Sequence, residues 1–146
     1  MNAIDGDAAA NSYSTLAFAD AWMAEQLHNA EWTAASDSDK ESALQIGTLY
    51  VDLREYQGTA TTTTQALKFP RNGQTDVPVQ IRYAAISLAL EYLRDDIAKR
   101  STQTASKIKA GSFQIELTDT SVELYSTVVD RLLKPFLKNS QGFIRV

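Results

Sequence analysis

The sequence predicts a mainly α-helical domain: a small four-helix bundle with a long central loop, a short β-hairpin before the last helix, and an extended C-terminal arm. Three observations carry this. Four segments repeat apolar residues at helical spacing behind recognisable capping residues. The run from Gln57 to Gly73 is rich in threonine and carries Gly58, Pro70 and Gly73, so it is not helical. Around residues 107–118 the apolar period changes to two. With 146 residues, 44% of them hydrophobic and 22% charged, the chain suits one globular domain with a real core.

Residues 1–10 carry Asp5 and Asp7 and lack both a basic start and an apolar stretch, so they read as a flexible tail and not as a secretory signal. The helical domain is expected over 11–137. Ser14 suits the N-cap of a first helix, with Tyr13 before it and Phe18 four positions inside as a hydrophobic staple. Leu16, Phe18, Ala19, Trp22, Met23 and Leu27 form its apolar face, and it should end near His28 and Asn29. Trp32 follows in the connection, as a plug over a helix end.

A second helix opens at Ser36 with Asp39 three residues on, or at Ser38 with Glu41, and should run to about Glu55. Its buried face holds Ala43, Leu44, Ile46, Leu49, Tyr50, Val51 and Leu53. Gly47 inside it costs about 1 kcal/mol relative to alanine, which points to a close helix crossing there. After the loop, 57–76, Pro78 suits the first turn of a third helix running from Val79 to Ile97. That helix is apolar over most of its circumference, so it is central in its own domain or shared with a neighbour.

In the hairpin, 107–118, Ile108 lies between Lys107 and Lys109, Ala110 to Ser112 form a turn, and Phe113, Ile115 and Leu117 alternate with polar residues. A lone hairpin is marginal in water, so it leans on the helices or on another copy. Ser121 caps the last helix, with Val128, Val129, Leu132 and Leu133 inside and Pro135 limiting it. The arm, 138–146, closes on Phe143, Ile144, Arg145 and Val146, an apolar and basic ending that suits docking.

Chemistry is conspicuous by its absence. His28 is the single histidine and there is no cysteine, so neither a zinc site nor a nucleophilic triad has its parts. Asp95 and Asp96 point to different sides of a helix, and no phosphate-cradling glycine loop exists. No enzyme activity, catalytic residue, metal or cofactor is expected. No apolar run approaches the ~20 residues of a bilayer span, so a membrane is not an expected partner.

The net charge of −4 conceals a split: residues 1–45 sum to −7 and the remainder to +3. Trp22, Trp32, Tyr56 and Phe69 could stack on bases, but single-strand binders pair such platforms with a positive groove. Lys68 and Arg71 are the only cations of the central loop.

Asn11-Ser12-Tyr13, Trp32 before an Asp-Lys-rich helix start, Gln57-Gly58, Gln65-Ala66-Leu67 leading to Phe69-Pro70-Arg71, Val77-Pro78 and Leu132 to Leu137 together resemble tailed-bacteriophage head-tail connector (head-completion adaptor) proteins. Some members of that family are labelled primosomal-like single-strand DNA-binding proteins. The resemblance implies a virion protein of the neck, present in the host cytoplasm before assembly. It would dock as a ring, twelve copies in the usual pattern, on the portal protein. The ring extends the channel for passing double-stranded DNA and offers a platform to the next neck or tail-terminator protein. The threonine run Thr61 to Thr64 departs from the family pattern. The alternative function is single-stranded DNA binding. Leu67, Lys68, Phe69, Pro70 and Arg71 of the loop, Phe113 and Ile115 of the hairpin, and Phe143, Ile144 and Arg145 of the arm are the candidate protein-interface residues. The competing reading of Leu67 and Phe69 is that they fold back onto their own bundle.

Overall fold

The computed structural model describes residues 1–94 and 126–138. Among them are five helices: α1 (Leu16–Ala24), α2 (Ala30–Ala34), α3 (Asp37–Asp52), α4 (Val79–Arg94) and α5 (Thr127–Leu133). The fold is mainly helical, as the periodicity implies, and α2 is the addition to the expected four. The hairpin with Phe113 and Ile115, the cap Ser121, and the arm with Phe143, Ile144 and Arg145 lie outside the described residues. Strand pairing among the described residues is confined to two isolated bridges, Tyr56 with Leu137 and Ala60 with Arg71.

Local chemistry explains where the helices begin. The α1 cap is Thr15, one residue later than expected, its Oγ1 accepting from Phe18 N at 3.1 Å. Ser14 is buried and donates instead to the Thr15 carbonyl. Ser36 caps α3 by accepting from Asp39 N, as its spacing predicts. Ser126 caps α5 in the same way, accepting from Val129 N. Two ends fall short of expectation: α1 stops at Ala24 rather than His28, and α3 at Asp52 rather than Glu55. The first shortfall makes room for α2, whose Trp32 is 3% exposed and donates its indole N–H to Asp20 at 2.8 Å. Lys40 also binds Asp20, at 3.0 Å, so the one cation of the acidic third is engaged in closing this corner.

The apolar circumference of α4 is accounted for within the subunit. One side of α4, with Ile81, Ala84, Ala85 and Leu88, packs with Tyr13, Val51, Tyr56, Phe69, Val77, Val129 and Leu133. The other, with Ile86, Ala89 and Leu90, packs with Ala19, Met23, Trp32, Ala43 and Leu44. Between the two clusters α3 lies directly on α4. A Cβ placed on Gly47 would stand 2.2 Å from the Ala85 carbonyl oxygen and 3.1 Å from Ala89 N, so only glycine allows this approach.

The N-terminal segment, expected as a tail, is tied down. Asp5 accepts from Val77 N at 2.8 Å and from the Arg82 guanidinium at 2.6 Å, and Arg82 reaches on to the Tyr13 carbonyl. Both partners of the Asp5–Arg82 pair are largely covered, so removing either strands a charge.

The Gly47 contact is with backbone, which cannot swing aside. We expect Gly47→Ala to destabilise the fold by ~1–3 kcal/mol through overpacking, read as a lower urea midpoint with an unchanged denaturant slope. A neutral Gly47→Ala would mean that the two helices separate freely.

Candidate interaction site

The loop between α3 and α4 is an ordered structure built from its own polar groups. Its two legs run antiparallel: Thr61 N donates to Pro70 O at 3.0 Å and Asn72 N to Thr59 O at 2.9 Å. Gly58 and Gly73 adopt positive φ of 74° and 77°, and Asn72 does so at 55°. At Gly58 a side chain would collide with the Asn72 carboxamide, which accepts from Thr59 N across the legs. Gln65 bridges the tip, accepting from Thr62 N and donating to the carbonyls of Leu67 and Pro70. Threonines Thr61 to Thr64 are exposed.

The side chains singled out in the sequence hold this loop to its own subunit. Phe69 is 2% exposed and meets Tyr13, Tyr56 and Phe136 edge-on, with ring centroids 6.0, 4.7 and 5.6 Å away. Pro70 is buried, and Leu67 is half-buried against the same cluster. Lys68 donates Nζ to the Arg54 carbonyl at 2.6 Å. Arg71 spends its guanidinium on the carbonyls of Gln57, Lys68, Gly58 and Tyr56. These five residues therefore converge, and their contacts among the described residues are internal.

Beneath the loop lies a buried polar chain. The Tyr13 hydroxyl donates to Asp52 and accepts from Phe69 N, while Lys68 N donates to both Asp52 oxygens at 3.3 Å. Burial raises the Asp52 carboxyl above the ordinary aspartate range, although the Tyr13 and Lys68 bonds pull the other way. Burial, reinforced by the Asp52 charge, holds the Tyr13 phenol well above its usual value.

The periphery of this end is basic. Lys138 N bonds the Glu55 carbonyl, Gln57 bonds the carbonyls of Phe136 and Leu137 through its N–H groups, and Arg54 pairs with Asp130 at 2.9 Å. These contacts bring Arg54, Lys68, Arg71, Arg131, Lys134 and Lys138 into one neighbourhood, against Asp52, Glu55 and Asp130. Arg131, Lys134 and Lys138 are exposed. Sequence reasoning passed over these three, although their spacing of three and four residues marks one side of a helix and its exit. Leu49 on α3 and Leu53 just past its end, expected on the buried face, are instead 57% and 62% exposed. The far end of α3 carries Asp37, Asp39 and Glu41, whereas Asp5 and Asp7 of the same acidic third are brought to the loop region by the bonds to Val77 and Ala66.

Two outcomes follow. Arg71→Ala should release the loop, raising protease cleavage between Gln57 and Gly73 and lowering stability by ~1.5–3 kcal/mol, the range for hydrogen bonds to a charged group; unchanged cleavage would show that the carbonyl contacts are dispensable. Because the Asp52 carboxyl is raised in the fold, its protonation favours folding, fully so below the unfolded value and decreasingly as pH rises through the folded one. The stability of the native chain relative to Asp52→Asn should thus fall as pH climbs from acid toward neutral, measured by urea titrations across that range. A difference rising with pH would contradict this.

No curated protein and no solved structure matches the chain. A family model matches residues 3–146, which takes in every element described above except the first two residues of the N-terminal segment. Its description speaks of single-stranded DNA and not of a phage neck. The chain belongs to the family described as "Putative DnaT-like ssDNA binding protein".

Proposed function

We propose that this chain is a non-enzymatic binding protein that contacts single-stranded DNA at its basic end. The observation that carries the reading is that Gln57, at the base of the polar loop, bonds the Phe136 and Leu137 carbonyls next to Lys138, on the short segment that also exposes Arg131 and Lys134; the family description supports it. Phosphates would lie along the three cations, with the Gln57 end of the loop next to them. Lys68 and Arg71 have a different part: their side chains hold the loop, and their charge adds only to the field. With net charge −4 and few phosphate contacts, affinity should be modest and steeply salt-dependent.

The test is anisotropy of a labelled oligothymidine across a salt series. Reversing Arg131, Lys134 and Lys138 together to glutamate should weaken binding and reduce the slope of log K against log salt by about 2, at ~0.7 per phosphate contact on a single strand. Unchanged binding by this variant would overturn the assignment of the surface.

A second reading is favoured by Leu49 and Leu53, apolar side chains exposed in the last turn of α3 and just past it. On that reading the chain is a head-tail connector subunit: a ring of about twelve copies on a portal protein, as in the resembling family, located in the virion neck. It would pass double-stranded DNA without reading it and hold the next neck or tail protein. Leu49→Glu with Leu53→Glu should abolish co-purification with a portal or tail protein while leaving oligonucleotide binding intact.

A further inference from the structure

The exit of α1, the last turns of α4 and the start of α5 enclose a groove of about 500 Å³. Trp22, Met23 and Leu90 line it together with Leu27 and Val128, which are 94% and 60% exposed. Trp22 is held in place by stacking on Tyr83, 4.9 Å between centroids, which in turn stacks on Phe18 at 6.0 Å. An indole so fixed offers a preformed contact at little ordering cost. Two carboxylates, Glu25 and Glu91, belong to the same lining. Its cation, Arg94, is bound to Glu31 at 3.2 Å and to the His28 carbonyl. Such a surface suits apolar side chains carried beside positive charge.

We propose that the groove seats Phe113 and Ile115 of its own chain, with Lys107 and Lys109 turned toward Glu25 and Glu91. The path of the chain is the first reason. α4 ends at Arg94, Ser126 caps α5, and both residues line the groove, so the segment 95–125 starts and finishes at its rim. Phe113 stands 19 residues from Arg94 and 13 from Ser126. At ~3.3 Å per extended residue, either connection crosses the groove with length to spare. Charge is the second reason: residues 97–115 carry Lys99, Arg100, Lys107 and Lys109 and no carboxylate. In the register set by a turn at 110–112, Lys109 lies across from Phe113 and Lys107 across from Ile115. Directly opposed residues share a face of the pair, so the two apolar side chains bring two cations with them. The third reason is that a lone hairpin is marginal in water and needs an apolar surface to lean on. The tether also decides against a second copy as occupant, because a short link gives an effective concentration on the order of millimolar. Any partner that uses Phe113 and Ile115 must therefore displace them from this seat. The contact does not depend on what the basic end binds.

The chain has no cysteine, so pairs of introduced thiols can locate the segment. In the dilute full-length chain, Leu27→Cys with Phe113→Cys should form a disulfide within one chain. It should do so faster than Leu49→Cys with Phe113→Cys, whose first thiol lies on the exposed apolar surface of α3 outside the groove. Equal rates, or faster linkage at Leu49, would overturn the proposal. Linkage only between chains would overturn it too, by giving the groove to a second copy. A further measurement needs no thiols. Phe113→Asp should uncover Trp22, shifting tryptophan emission to the red and raising quenching by acrylamide, whereas Trp32, at 3% exposed, contributes little to either. Phe113→Ser serves in its place if the aspartate lowers the helix content. Emission and quenching that stay as in the native chain would count against the seat.

Discussion

The backbone contact between α3 and α4 at Gly47 sets the rest of the structure. With no side chain at Gly47 the two helices come within reach of each other's main chain, and Ala84, Ala85 and Ala89 keep the α4 surface equally low. Two apolar clusters then form on either side of α4 instead of one. Thr48, next to Gly47 and 1% exposed, is positioned by the same approach to accept from Tyr13 N at 3.0 Å. The entry of α1 is therefore registered against the helix crossing.

From Tyr13 the order propagates outward. Its hydroxyl joins Asp52 to the Phe69 amide, and Phe69 in turn seats three rings around itself. A loop that would be costly to order is thus fixed by one buried aromatic residue, one buried carboxylate and the Arg71 contacts to backbone carbonyls. The consequence for function is a division of labour among cations. Those within the loop are consumed in building it, while those at the end of α5 remain on the surface beside it.

Much of the helical frame was legible in the residues. Ser36 with Asp39 marks a cap by spacing alone, Pro78 marks a helix start by its fixed φ, and Gly47 in an otherwise good helix marks a close crossing; each depends on neighbours a few residues away. The Gln57–Gly73 loop was recognisable as non-helical for the same reason. Its destination was not. Phe69 and Arg71 carry the same signature whether they face a partner or their own core, and only the arrival of Tyr13, from 56 residues earlier, and Phe136 decides between these.

The helical class, most of the capping residues, the single histidine without any cysteine, and the uneven charge could be read from the residues alone, because these are properties of composition and of short-range periodicity. Which cations remain at the surface, what covers the apolar faces of α4, and where a groove survives beside Trp22 were set by the packing of distant segments. Those outcomes depend on which distant segments meet. A hydrogen bond from Arg71 to the Gly58 carbonyl, or from Val77 to Asp5, has no trace in local sequence until the chain has closed on itself.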